Sequence, residues 1–128
     1  MSTPARNEYL ILVVDDCPDS MELMEHVLLH HGYQVVTATS KQHALRVCRS
    51  LEQVPHAIVT DYFLGDGTGA ELVSELGNKA PDVRILVSGS TELSTNRSFD
   101  FFLVKPIIPG NLSTLLDTFL LEQRRAAS

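Results

Sequence analysis

Four short apolar runs of this chain each end at a polar residue of a type that binds cations or phosphoryl groups. The runs Tyr9–Val14, Ala57–Thr60, Val83–Val87 and Phe101–Val104 are followed by Asp15-Asp16, Asp61, Ser88 and Lys105-Pro106, respectively. Apolar runs of this length, separated by helix-length segments, indicate buried parallel strands. In open α/β sheets, ligands bind outside the carboxyl ends of the strands. The sequence therefore predicts that three carboxylates, a hydroxyl and an ammonium meet at one sheet edge.

The segments between the runs predict one further strand and four helices. The strand is Tyr33–Ala38, and the helix starts are marked by Pro18, Ser40, the loop Gly65-Asp66-Gly67-Thr68-Gly69, and Pro109 or Asn111. Proline suits a first helical turn, and serine caps helix N-termini. Alternating strands and helices predict an α/β fold, a doubly wound five-stranded parallel sheet with right-handed crossovers.

The connection between Ser88 and Phe101 departs from this pattern. A crossover helix must run back along a strand of roughly 16 Å, which takes about eleven residues at the helical rise. Two flanking loops add about four more. Only twelve residues, 89–100, are present. We therefore expect one or two helical turns or irregular chain in this connection, so that the helix between the last two strands, the fourth in chain order, is shortened or irregular.

Composition narrows the class of protein. The length of 128 residues predicts one domain, 1–128, with an ordered core at about 8–123. A net charge of -6 argues against direct nucleic-acid binding, which requires clustered Lys and Arg. The chain has no apolar stretch near the roughly 18 residues of a membrane span, and its start lacks the apolar centre of a signal peptide. We therefore expect a cytoplasmic protein without membrane insertion.

The predicted site has a definite chemistry. Asp15, Asp16 and Asp61 repel one another when they converge, and a hard divalent cation such as Mg²⁺ relieves that repulsion. A carboxylate can also attack phosphorus to give an aspartyl-phosphate, with a nearby lysine such as Lys105 neutralising charge. Any one of these residues alone is better interpreted as a solvated strand end. Their joint placement favours a site.

At these residues the chain resembles the receiver domains of two-component response regulators over essentially its whole length. The matching stretches are Val13-Val14-Asp15-Asp16, Asp61 through Gly69, Ser88-Gly89 and Phe102-Leu-Val-Lys105-Pro106. The resemblance implies a flavodoxin-like fold with strand order 2-1-3-4-5. It also implies that Asp61 is the phosphoacceptor, with a sensor histidine kinase or a histidine phosphotransfer protein as the donor.

The resemblance further implies roles for the other site residues. Asp16 and Asp61 would ligate Mg²⁺ directly together with the backbone carbonyl of Phe63, while Asp15 would act mostly through water. Mn²⁺ is the alternative cation. Lys105 would contact the phosphoryl group.

Two more features follow from the same resemblance. Lys105 and Pro106 would be joined by a cis peptide bond. Ser88 and Phe102 match the pair of residues whose coupled movement reports phosphorylation, and Ser88 would also hydrogen-bond a phosphoryl oxygen.

The chain departs from the family pattern at two positions near Asp61. Gly65 stands where the family usually has proline, so a looser loop is expected. Phe63 places an apolar ring where it can hinder attacking water.

Two other functions remain open. A metal-dependent aspartyl-phosphate phosphatase would need a general-acid aspartate where Phe63 stands, and a pseudo-receiver that binds partners without phosphorylation would not need the intact acidic residues. The signal would be passed on by contact with an unknown downstream target protein or by phosphorelay. We expect the chain to be a monomer or a weak dimer.

Overall fold

The protein is described by a computed structural model covering residues 6–89 and 97–122. The five strands are β1 (Leu10–Val14), β2 (Gln34–Ala38), β3 (Ala57–Asp61), β4 (Val83–Ser88) and β5 (Phe101–Val104). The α-helices of the described ranges are α1 (Pro18–His30), α2 (Lys41–Ser50), α3 (Gly69–Leu76) and α4 (Pro109–Leu116), and a π-helical turn over Asp117–Glu122 continues α4. The predicted alternation of strands and helices is confirmed.

The strands form one parallel sheet in the order β2-β1-β3-β4-β5. Val14 pairs with Thr60, and Asp61 pairs with Val87, so the carboxyl ends of the central strands lie level with one another. This register places the residues that follow β1, β3 and β5 at one edge of the sheet, as the sequence predicted.

Both faces of the sheet are covered, because the strand residues alternate between two apolar cores. One core joins Ile11, Val59 and Ile85 to residues of α1 and α4. The other joins Leu12 and Ile58 to residues of α2 and α3. The central strands are therefore buried on both sides, which explains why their sequences are continuous apolar runs.

The predicted helix signals act locally as expected. Pro18 occupies the first turn of α1, and the Ser40 side chain accepts a hydrogen bond from the backbone N–H of His43 at the start of α2. Thr68 and Glu71 form a reciprocal capping box at α3, which was not predicted from the sequence. The π-helical turn after α4 was also not predicted.

The prediction of a shortened or irregular helix between β4 and β5 falls mainly on residues 90–96, which lie outside the described residues. Next to them, residues 97 and 98 form a turn, and Asp100 is tied to β4 through both backbone and side chain: its N–H donates to the Arg84 carbonyl, and its carboxylate accepts from the Arg84 N–H. No helix among the described residues is long and apolar enough to cross a membrane.

Candidate metal and phosphoryl site

Three carboxylates converge at the carboxyl edge of the sheet. Asp15 and Asp16 follow β1, and Asp61 ends β3. One oxygen of each carboxylate lies within 4.8 Å of the other two. Asp15 is buried, Asp61 is partly buried and Asp16 is exposed, so the cluster runs from the interior to the surface. A ligand can therefore enter from the side of Asp16.

Lys105 supplies the cation that faces this cluster. Its Nζ donates to Asp15 Oδ2 at 2.8 Å and to Asp61 Oδ2 at 3.0 Å. Burial lowers the pKa of Lys105, but the hydrogen bonds to the two carboxylates outweigh it, and the net pKa is raised above its usual value. The lysine therefore stays charged at neutral pH.

Backbone contacts hold these side chains in place. The N–H of Lys105 donates to the Ser88 carbonyl at 2.9 Å, which fixes the chain after β5 to the end of β4. The Lys105–Pro106 peptide bond is cis. The N–H of Cys17 donates to Asp15 Oδ1, and the N–H of Tyr62 donates to Asp61 Oδ1, both at 2.8 Å. The positions of Asp15 and Asp61 are thus set by the backbone that follows each of them.

The donor set of the cluster fits a hard divalent cation. Three carboxylates face a single ammonium, so two negative charges lack a positive partner within the cluster. A carboxylate group has about four lone-pair sites on its two oxygens, and the described hydrogen bonds use only some of those on Asp61. Mg²⁺ uses one or two carboxylates together with water and phosphate oxygens, and such ligands are available here.

The loop after Asp61 is held close to the site by contacts that were not predicted from the sequence. A Cβ on Gly69 would lie 2.6 Å from the carbonyl oxygen of Asp61, so only glycine allows this approach. The Asp66 carboxylate accepts hydrogen bonds from the N–H groups of Lys41 and Gln42 at the start of α2. These two hydrogen bonds lower the pKa of Asp66. An acidic residue between two glycines was the available sequence signal for this contact. The sequence did not indicate that Asp66 would bind the start of α2.

Gly65, where the resemblance predicts proline, has a φ of +80°, a conformation that proline's ring excludes and glycine tolerates. The loop is closed by a hydrogen bond from the Leu64 N–H to the Gly67 carbonyl at 2.9 Å. The departure from the family pattern therefore has a local structural reason.

Phe63 follows Asp61 by two residues, and its side chain is turned to solvent. It is 64% exposed, and its ring packs edge-on against Tyr62 with 4.8 Å between ring centroids. An exposed aromatic ring has no acid or base to offer to a reaction at Asp61. The role of its backbone carbonyl as a metal ligand stays a prediction.

Ser88 and Phe102 occupy one face of the sheet. Ser88 is buried at the end of β4 and pairs with Val104, while Phe102 pairs with Leu86. Because alternate residues of a strand share a face, Phe102 and Ser88 lie on the same side, one repeat apart. The Phe102 ring is partly exposed. This neighbourhood is compatible with coupled movement, which itself stays a prediction.

The amino-acid sequence of the chain is similar to those of known proteins. The family model of the response regulator receiver domain matches residues 11–117. The two-component response regulator ORR3 of Oryza sativa subsp. indica is 30% identical over 120 residues, covering 88% of this chain and 91% of that protein. An uncharacterized 14.6 kDa protein of Leptolyngbya boryana is 27% identical over 119 residues.

Solved structures resemble the fold over nearly its whole length. A CheY-like receiver domain protein from Methanospirillum hungatei JF-1 has a TM-score of 0.79 and 25% identity, covering 92% of this chain and 98% of that one. Response regulator TrrA of Thermotoga maritima, solved in complex with Mg²⁺-BeF, has a TM-score of 0.75 and 26% identity, covering 86% and 97%. The expected flavodoxin-like fold is confirmed.

Proposed function

The chain belongs to the response regulator receiver domain family, a family of signalling phosphoacceptors that bind Mg²⁺ at an acidic pocket, and on that premise we propose that Asp61 is its phosphoacceptor. The observation that carries the proposal is the convergence of Asp15, Asp16 and Asp61 on Lys105 at the carboxyl edge of the sheet. Of the three carboxylates, Asp61 ends the central strand β3 and is partly exposed, so an incoming phosphoryl group can reach it. Asp15 is fully buried, so an incoming phosphoryl group does not reach it.

Mg²⁺ is the expected cation, with Mn²⁺ as the alternative. Asp16 and Asp61 would hold it together with the carbonyl of Phe63, and Asp15 would act through water. When bound, the cation neutralises charge on the phosphoryl oxygens and so supplies electrostatic stabilisation. Asp16 suits this role because it is the exposed member of the cluster and can exchange ligands with solvent.

The chemical step is a phosphoryl transfer from a phosphohistidine. A carboxylate oxygen of Asp61 forms a bond to phosphorus while the P–N bond to the donor imidazole breaks, and the imidazole leaves with the electron pair and takes up a proton. Lys105 holds its proton, because its pKa is raised, and its ammonium neutralises the charge that spreads over the phosphoryl oxygens. The N–H of Tyr62 keeps Asp61 oriented during the attack.

Receiver domains of this family interact with histidine kinases or phosphotransfer proteins, and one of these would serve as the donor here. Ser88 and Phe102 would transmit the change: the Ser88 hydroxyl moves towards the phosphoryl group, and the Phe102 ring moves into the space beside it. Their placement on one face of the sheet, one repeat apart, supports this coupling. The output would be contact with a downstream protein or onward transfer in a phosphorelay.

Intact-mass measurement after treatment with acetyl phosphate and Mg²⁺ tests the acceptor. The wild-type chain should gain one phosphoryl group, and Asp61→Asn should gain none, because the amide keeps the shape but lacks the nucleophilic carboxylate. Asp82→Asn is the matched control, since Asp82 is an exposed aspartate just before β4. Phosphorylation of the Asp61→Asn chain would show that the acceptor is another residue.

A further inference from the structure

Three of the chain's five histidines gather at the C-terminal end of α1. His26 and His30 are four residues apart, so they project from one face of the helix on successive turns. Their rings are nearly parallel, with an interplanar angle of 15° and 6.3 Å between centroids. Both side chains are exposed. This is an arrangement of two neighbouring imidazoles that face the same solvent space.

The same rings line an open cavity between α1 and the start of α4. The cavity has a volume of about 280 Å³, and Gly110 and Ser113 form part of its opposite wall. His31 also lines it, but His31 Nε2 is 2.9 Å from Asp117 Oδ2 and is therefore engaged there. The cavity leaves room for a cation with water ligands beside His26 and His30.

Two imidazoles on successive helical turns select a particular class of ligand. Neutral imidazole nitrogen suits Zn²⁺ and Cu²⁺, whereas Mg²⁺ prefers oxygen ligands. Histidines at positions i and i+4 of a helix are the spacing by which H-E-x-x-H helices hold zinc, with Zn–N distances of about 2.0–2.1 Å. Both rings are exposed, so their χ angles can change to bring one nitrogen of each within reach of a shared ion.

We propose that His26 and His30 form a binding site for a borderline divalent transition cation, such as Zn²⁺ or Cu²⁺, separate from the acidic cluster. The two imidazoles provide two ligands, and water completes the coordination from the open side of the cavity. A bound cation would link two turns of α1 and stabilise that helix. The site differs from the acidic cluster in donor chemistry, so each takes its preferred cation in the presence of the other.

The test is a Zn²⁺ titration of the full chain in excess Mg²⁺, which occupies the carboxylate oxygens of the acidic cluster. Imidazole nitrogen signals in NMR spectra identify each histidine. We expect the signals of His26 and His30 to shift together, with one Zn²⁺ ion bound per chain. His26→Ala and His30→Ala should each weaken Zn²⁺ binding by at least about tenfold, the lower end of what loss of an outer-shell partner costs.

His43→Ala is the matched control, because His43 lies on α2 and should not change the affinity. Alanine is the best helix former, so the α1 variants are expected to remain folded, which circular dichroism checks. The proposal is overturned if neither signal moves at millimolar Zn²⁺, if only one of the two moves, or if both alanine variants bind Zn²⁺ as tightly as the wild-type chain.

Discussion

The two edges of the sheet each carry a cluster of charged side chains, and the clusters differ in how their charge is balanced. At the carboxyl edge, three carboxylates share Lys105. At the amino edge, the single carboxylate of Asp117 accepts two hydrogen bonds from Arg6 at 2.8 and 2.9 Å and one from the Tyr33 hydroxyl at 2.6 Å, and His31 lies at 2.9 Å. One edge has an excess of acceptors, and the other has an excess of donors.

This difference separates a binding site from a structural contact. Asp117 already has its hydrogen-bonding partners from the protein, and they join the start of the chain, the end of α1 and the end of α4. A further ligand would add little there. The acidic cluster at the other edge stays under-neutralised, and a bound cation lowers its repulsion. The same residue type therefore stabilises the fold at one edge and prepares it for a ligand at the other.

The largest expected difference between the edges is in Mg²⁺ affinity. Asp16→Asn removes a predicted direct ligand and should weaken Mg²⁺ binding by about a hundredfold, the upper end of the cost of losing even an outer-shell partner. Asp117→Asn should leave the affinity unchanged. Isothermal titration of both variants measures this. Equal affinities in the two variants would contradict the assignment of the carboxyl edge as the metal site.

The rule that ligands bind at the carboxyl ends of parallel strands explains how much of the acidic site the sequence could predict. Asp15, Asp16, Asp61 and Lys105 each follow an apolar run, and parallel pairing alone brings such ends together. The fold class followed from the same runs. In both cases a repeated local pattern carried enough information to specify a three-dimensional arrangement.

The amino-edge cluster could not be predicted in this way. Arg6 and Asp117 are 111 residues apart, and neither lies in a sequence pattern that indicates its partner. Arg6 falls outside the ordered core expected at about 8–123, yet its side chain is tied to the end of α4. The contact depends on where α4 ends, and the π-helical turn that begins at Asp117 has no signal in the sequence. Such contacts follow from packing of whole elements, not from local spacing.

The second expected difference is in stability without metal. Asp117→Asn should lower the free energy of unfolding by about 2 kcal/mol, because charged hydrogen bonds to a partly buried carboxylate are lost. Asp16→Asn should keep or raise the stability, because it removes like-charge repulsion at an exposed position. Urea denaturation of the metal-free proteins compares them. A larger loss in Asp16→Asn than in Asp117→Asn would reverse the interpretation of the two edges.

The third expected difference is in acid sensitivity. Burial raises the pKa of Asp117, but hydrogen bonds from Arg6, Tyr33 and His31 outweigh it and hold the pKa well below its usual range. A carboxylate with a depressed folded pKa contributes its full stability above its unfolded pKa, which is about 4, and loses it as pH falls towards the folded value. The stability gap between wild type and Asp117→Asn should therefore be constant above about pH 5 and narrow below about pH 4.

Urea denaturation across this pH range measures the gap. His31 also faces Asp117, so the pair is compared again in a His31→Gln background, where that imidazole is absent. A gap that stays constant down to pH values well below the unfolded pKa would mean that ionisation of Asp117 does not stabilise the fold.

The smallest expected effect separates the partners of Asp117. Arg6 is 41% exposed, so solvent screens its ion pair, and Arg6→Gln should cost only about 0.5 to 1 kcal/mol of stability. Tyr33 and His31 keep the carboxylate hydrogen-bonded in that variant. Arg46→Gln, at an exposed position of α2, is the matched control and should be near neutral.

In the double variant Arg6→Gln/Asp117→Asn, the Arg6 change should add almost nothing, because its partner is already gone. Additive losses in this double-mutant cycle would mean that Arg6 stabilises the chain through other contacts, and the amino edge would then owe its stability to Tyr33 and His31 alone.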